Sequence, residues 1–316
     1  MEYHLLGKTG IKVSRLCFGA LTIGPLQKKL NADAGAAVIE EALRLGVNFI
    51  DTAELYGTYP HIKRAIQRSG SRPVICSKCY AYTREDAKKS VDKALTGMGI
   101  DRIDLFLMHE QESEFTIRGH WEAFEYYLEL KQQGIIKAVG ISTHHIAAVE
   151  AAAKVPEIDI IHPIVNMRGL GICDGNLPEM LEAIRNAYEA GKGIYGMKAF
   201  GGGNLLSDFE ESLRFVLGLP YLQSIAVGMQ SVDEVRMNVA LFENIETIDQ
   251  FREKISLGNP KALHVDFWCE GCGKCVDRCK QNALSMREGK LHIEREKCVL
   301  CGYCSACCPA FALKVY

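Results

Sequence analysis

Residues 74–109 read VICSKCYAYTREDAKKSVDKALTGMGIDRIDLFLMH. A short run of β-branched and apolar residues at 74–78 gives way to the amphipathic spacing of REDAKKSVDKALTGMG. A glycine closes that pattern before a second apolar run at 103–108. The order is strand, helix, strand. The same alternation extends from about residue 10 to residue 240, with further strands predicted at 13–18, 47–51, 137–141, 158–165, 193–198 and 224–227. Eight such units predict an α/β chain closed into a (β/α)8 TIM barrel. An open doubly wound sheet is the alternative, but it calls for G-x-G-x-x-G after the first strand, and CFGALTIGPL at 17–26 does not supply it.

Beyond the eighth unit the composition changes. LFENIETIDQFREKISLG at 241–258 predicts a helix ending at Gly258, and Pro260 breaks the pattern, so a boundary is expected that divides the chain into 1–260 and 261–316. The second part holds nine of the chain's thirteen cysteines, all between Cys269 and Cys308. They form two combs that superimpose: Cys269 with Cys298, Cys272 with Cys301, Gly273 with Gly302, Cys275 with Cys304, and Cys279 with Cys308. Each comb reads C-x2-C-x2-C-x3-C, a spacing in which three thiolates of one tight loop grip an iron–sulfur cluster while the fourth reaches the other cluster. Cys269, Cys272, Cys275 and Cys308 are therefore expected on one 4Fe-4S cluster, and Cys298, Cys301, Cys304 and Cys279 on the second. Zinc also takes C-x-x-C knuckles, but eight thiols this closely spaced would crowd tetrahedral sites. The stretch SMREGKLHIE at 285–294 predicts a hairpin between the combs. Among the scattered cysteines, Cys76 and Cys79 fall three apart on a predicted strand, so their side chains point to opposite faces and no disulfide is expected.

The formal net charge is −2, with both signs interspersed, which argues against a nucleic-acid partner or an anionic membrane surface. Neither a signal-peptide core nor a membrane-length apolar run is present in the sequence, so a cytoplasmic protein is expected.

Barrel strands carry chemistry at their C-terminal ends. There the sequence places Asp51 after NFI, Lys78 at the end of VICSK and His109 at the end of LFLMH, with Tyr56 in the loop after Asp51. A phenol with a pKa of about 10 is a poor acid–base group at neutral pH unless a cation stands beside it. Lys78 supplies that cation, Asp51 holds Lys78, and His109 orients a reacting oxygen. Such a set protonates the alkoxide that forms when a hydride reaches a carbonyl. Phosphate sites in barrels form after strands seven and eight, where FGGGNL at 200–205 and GMQSVDE at 228–234 fall, with Ser231 a candidate N-cap.

GVNFIDTAELYG at 46–57, Lys78 and His109 resemble the Asp, Tyr, Lys, His tetrad of the aldo-keto reductase family. LGKTGIKVSRLCFGA at 6–20, GIS at 140–142 and VGMQSVDEVRMNV at 227–239 resemble its pattern as well, so the likeness spans residues 1 to about 245. It implies reduction of a small aldehyde or ketone by NADPH or NADH, with Tyr56 as proton donor. The implied nicotinamide contacts are Ser142, Asn166, Lys198, Gly201, Gly228, Ser231 and Asn238. The chain departs from the family at Thr143, where Asn is common, and at His162, where a Gln is common. Met197 and Lys198 fall where the family often stacks a Tyr, and Met229 and Val235 fall where a cation could stand. The comb region resembles a bacterial two-cluster ferredoxin, a small α+β domain, with Lys280 where that family has Pro and with Cys307 as an extra thiol beside Cys308.

A hydride carries two electrons and each cluster one. Three readings follow: a carbonyl reductase with a structural or docking module, a redox enzyme whose clusters trade electrons with a redox partner protein and the barrel, or an electron-transfer protein on a barrel scaffold. The segments 109–120 and 168–176 are expected to shape the substrate pocket, and Arg118 and Arg168 are candidates for a substrate carboxylate or for plain surface charge.

Overall fold

The computed structural model describes residues 1–256, 261–310 and 312–315. Eight parallel strands close into a barrel in the order of the chain: Leu16–Gly19, Phe49–Asp51, Val74–Cys79, Ile103–Met108, Ile136–Thr143, Ile160–Pro163, Gly193–Met197 and Ser224–Gly228. The last strand pairs with the first, Gly228 opposite Gly19. Inside the barrel Cys17, Phe49, Cys76, Leu105, Leu107 and Tyr195 form one apolar cluster, while the outer faces of the strands pack against the helices in a second, larger one. The helix Arg84–Met98 shows how locally this is set. Thr83 accepts from the Asp86 N–H at its start, and Gly99 adopts a left-handed φ of 66° at its end.

Two expectations are corrected. The strand predicted over 13–18 is divided: Lys12–Ser14 pairs antiparallel with Tyr3–Leu5 in a separate hairpin, and only Leu16–Gly19 joins the barrel. The division falls where polar groups redirect the chain. The Ser14 N–H donates to Asn48 Oδ1, its hydroxyl donates to the Leu16 carbonyl, and the buried Arg15 donates to the Leu217 carbonyl. Likewise the single helix expected over 241–258 is interrupted at Asn244, whose backbone is extended and whose side chain accepts from the Glu246 N–H. A 3-10 segment, Ile245–Phe251, and the short helix Arg252–Ser256 follow. Gly258 and Pro260, on which the predicted boundary rested, lie outside the described residues.

The C-terminal module repeats its sequence symmetry in its backbone. Gly273 and Gly302 both take φ 77°, each opening a short helix, Lys274–Arg278 and Tyr303–Ala306. A hairpin, Leu284–Arg287 with Lys290–Ile293, lies between them, and Leu263–Val265 pairs with Leu313–Val315. Among the described residues no helix is long and apolar enough to cross a membrane.

Candidate active site

Strand register places the charged groups at the barrel mouth. Asp51 stands beside Cys76 on the neighbouring strand and Lys78 beside Leu107 on the next. His109 follows the fourth strand, its N–H donating to the Cys79 carbonyl. The Lys78 ammonium, 1% exposed, donates to Asp51 Oδ1 at 2.5 Å and to the Thr52 carbonyl at 2.8 Å. It lies 5.4 Å from the centre of the Tyr56 ring, and the Tyr56 and His109 rings are 5.7 Å apart, edge to face. All four predicted residues line one cavity of about 960 Å³.

Burial and charge set the protonation states. Burial pushes the Tyr56 phenol up to about 12, against the pull of Lys78, so the phenol holds its proton at neutral pH. Burial pulls the Lys78 ammonium down, but Asp51, Tyr56 and Cys76 around it together outweigh this and the net shift is upward. Burial, helped by the charge of Lys78, holds His109 well below the ordinary histidine value, so its ring is neutral. The sequence did not point to Tyr195, whose hydroxyl donates to Asp51 Oδ1 at 2.9 Å, and His162 stacks on the Tyr195 ring at 3.7 Å.

The predicted nicotinamide contacts divide. Ser142, Lys198 and Gly228 line the cavity, as do His162 and Met197. Asn166 is outside the cavity lining and spends its side chain on its own loop, accepting from Leu170 N–H and donating to the Leu170 carbonyl. Gly201 faces Leu170 and Leu205 rather than the cavity, though Gly202 and Gly203 do line it. Ser231 caps its helix by accepting from Glu234 N–H. Asn238 is buried further along that helix, donating to the Glu234 carbonyl, and its Oδ1 has no partner among the described residues.

What the sequence did not reveal is where the module sits. It covers the barrel mouth. The glycine-rich loop meets it directly: a Cβ at Gly202 would fall 1.9 Å from the Val299 carbonyl oxygen, and Asn204 donates to the Cys298 carbonyl at 2.6 Å. The two segments expected to shape a substrate pocket hold the module as well. Glu112 pairs with Lys280 at 2.8 Å, and Gln281 bonds His144 at 2.9 Å and Cys173 at 3.4 Å. Arg118 and Arg168 pair with Glu114 and Asp208 at the surface.

The cysteines fall into the two predicted sets. Cys279, Cys298, Cys301 and Cys304 line one cavity of about 500 Å³, while Cys269, Cys272, Cys275 and Cys308 line another of about 370 Å³. Cys307 lines neither. Among the described residues no group of three or more His, Cys, Asp or Glu side chains converges on one metal-ion position; the thiols are spread around two cavities instead. All thirteen cysteines are free, and Cys76 and Cys79 bond separate tyrosines, Tyr195 and Tyr127. The cavity of the second comb and the barrel cavity share a wall of Glu110, His144, Val299, Leu300 and Tyr303.

A parallel eightfold barrel with a buried Asp, Tyr, Lys and His at its mouth defines a class of oxidoreductase barrels. This chain belongs to the aldo/keto reductase family, whose model matches residues 15–214, and it carries a 4Fe-4S dicluster domain matched over 268–312. It is 25% identical over 298 residues to the L-galactose dehydrogenase of Arabidopsis thaliana, covering 81% of this chain and 92% of the plant protein. It is 31% identical over 168 residues to the pyridoxine 4-dehydrogenase of Escherichia coli, covering 46% and 58%. The aldo-keto reductase AKR11C1 of Bacillus halodurans, solved in its holo form, shares the fold with a TM-score of 0.64 at 23% identity, over 81% of this chain and 95% of that one.

Proposed function

We propose that the barrel interconverts a small aldehyde or ketone and its alcohol by hydride exchange with a nicotinamide, and that the module, residues 261–316 against 1–260, holds two 4Fe-4S clusters. When bound, the nicotinamide supplies or accepts the hydride. Its fit is supported by a cavity that reaches from Lys78 to Gly228 and by the unpartnered Oδ1 of Asn238 beyond it. Tyr56 holds its proton at neutral pH and gives it to the oxygen that gains the hydride's charge. Lys78, kept charged by Asp51, stabilises the phenolate left behind. His109, neutral and beside Tyr56, directs the same oxygen.

The observation that carries this reading is the joint burial of Asp51, Lys78, Tyr56 and His109 around one cavity. Crossed cluster ligation is supported by the two four-thiol cavities. The five cysteines outside the two cluster sets form no disulfide, which suits the reducing cytoplasm. A second reading, in which the clusters trade single electrons with a redox partner and the barrel, is favoured by the wall that the two cavities share.

One experiment separates them. Cluster-loaded protein is titrated anaerobically with NADPH, then with NADH, with and without small carbonyls, while nicotinamide absorbance and cluster absorbance are followed together. Carbonyl-dependent nicotinamide loss with unbleached clusters, reduced at least about a hundredfold in Tyr56→Phe, is the expected result. Bleaching without a carbonyl would establish the second reading in its place.

A further inference from the structure

Tyr303 stands in the second comb between Cys301 and Cys304, yet it is buried against the barrel. It is 6% exposed and packs with Leu26, Ala53 and Tyr56, with Leu21 and Leu55 at the edge of the same cluster. Its hydroxyl donates to the Tyr56 hydroxyl at 3.5 Å and lies 3.4 Å from His109 Nε2. Both contacts are at the long, weak end of hydrogen bonding. They are made to the two groups that, on the carbonyl reading above, hold the reacting oxygen. A phenol oxygen therefore occupies the place the substrate oxygen needs.

The position is built from several sides. The Arg278 guanidinium lies 5.1 Å above the Tyr303 ring and 5.4 Å above Tyr80, and Tyr80 in turn stacks on His109 at 4.5 Å. A Cβ at Gly302 would fall 2.5 Å from the Leu26 carbonyl oxygen, so the backbone just before Tyr303 rests directly on the barrel. The ring is supported from several sides, but only two long bonds hold its hydroxyl over the pair, so a small tilt of the ring is enough to free the oxygen position.

We propose that Tyr303 is a specificity-determining residue of the barrel's substrate site, delivered by the iron–sulfur module. Its hydroxyl holds the oxygen position until a carbonyl displaces it, and its ring limits the carbon frame that can follow. This deepens the carbonyl reading and rests on it for the place of the reacting oxygen.

Two variants and two measurements test this. Benzoate, whose carboxylate can occupy the oxygen position without any hydride transfer, is titrated into cluster-loaded wild type, Tyr303→Phe and Tyr303→Ala by equilibrium calorimetry. KM and kcat are then measured for an aliphatic and an aromatic aldehyde. Tyr303→Phe, which keeps the ring, is expected to bind benzoate about fivefold more tightly, as the loss of one weak competing hydrogen bond allows. Its kinetic change should appear in KM rather than in kcat. Tyr303→Ala, which removes the ring, is expected to raise kcat/KM for the aromatic aldehyde over the aliphatic one by about tenfold or more. Unchanged benzoate affinity in Tyr303→Phe overturns the proposal, and so does a fall in kcat at constant KM, which would place the hydroxyl in the transition state. Cluster absorbance reports folding, and if Tyr303→Ala loses its clusters the Phe variant decides. Altered benzoate affinity in a protein that turns over no carbonyl would uphold Tyr303 and overturn the carbonyl reading.

Discussion

Removing the ammonium of Lys78 strips Asp51 of its closest cationic partner in the barrel, since the remaining neighbours of that carboxylate, Tyr195 and His162, are neutral at physiological pH. Lys78→Met is therefore expected to act twice. It leaves a buried carboxylate unpaired, a change that costs about 3–5 kcal/mol, and it removes the charge that stabilises the Tyr56 phenolate, lowering kcat by about a hundredfold or more. Denaturant unfolding and steady-state kinetics on the same preparation read the two effects separately. A variant with normal kcat would show that Lys78 serves packing alone. At this scale the site was partly legible. Asp51, Lys78 and His109 could be read because each lies within one residue of a strand's C-terminal end, and such ends in a barrel face the mouth. Tyr195 was not legible, for it lies inside the seventh strand and its hydroxyl reaches across the barrel to Asp51. Tyr303 was hidden in another way, since the positions between comb cysteines follow no periodicity that would mark a side chain leaving its own domain.

Among the elements, the loop after the seventh strand shows why a glycine-rich sequence is ambiguous. FGGGNL was read as a phosphate cradle, but Gly202 is also where the Val299 carbonyl presses on the loop, and its φ is 72°. Gly202→Ala is expected to loosen the seam by about 1–3 kcal/mol, through strain and displacement of Val299 next to Cys298. Gly134 provides the comparison, with φ 76° and nothing within 4 Å of an added Cβ. Gly134→Ala should carry only the backbone cost, about 1 kcal/mol. Anaerobic bleaching of the clusters by a chelator is the measurement. Gly202→Ala should bleach faster than wild type, and equal rates for the two variants would show that the seam does not protect the clusters. Segments 109–120 and 168–176 are ambiguous in the same way as the loop, since His109 and Glu110 line the barrel cavity while Glu112 and Cys173 hold the module. Their sequences mark them as barrel-top loops, and hydrophobic spacing within one domain carries no information about what another domain places on top of it.

Across the whole molecule, the mouth of the barrel collects buried histidines. Burial pulls His162 down to about 4, with Asp51 opposing, and holds His109 and His144 well below the ordinary value. Each is neutral in the folded chain and free to take a proton in the unfolded one. Their contribution to stability is therefore fully present above about pH 6.5 and is lost as the pH falls; for His162 the loss runs from there toward 4 and amounts to about 1 kcal/mol at pH 5.5. Anaerobic unfolding at pH 7.5 and 5.5, compared between wild type and His162→Gln, should show the variant losing about 1 kcal/mol less over that interval. Equal losses would mean that His162 titrates normally in the fold.

On the proposal that the module holds two clusters, the contact of Tyr303 with Tyr56 and His109 would also tie the barrel to iron supply. A module of some fifty residues has a small apolar core, and in domains of this kind metal binding supplies much of the folding free energy. With its clusters in place the module can seat a phenol at the mouth. A chain starved of iron would present the same barrel without its cover, open to larger molecules, so the range of compounds it accepts would follow the cell's capacity to build iron–sulfur clusters.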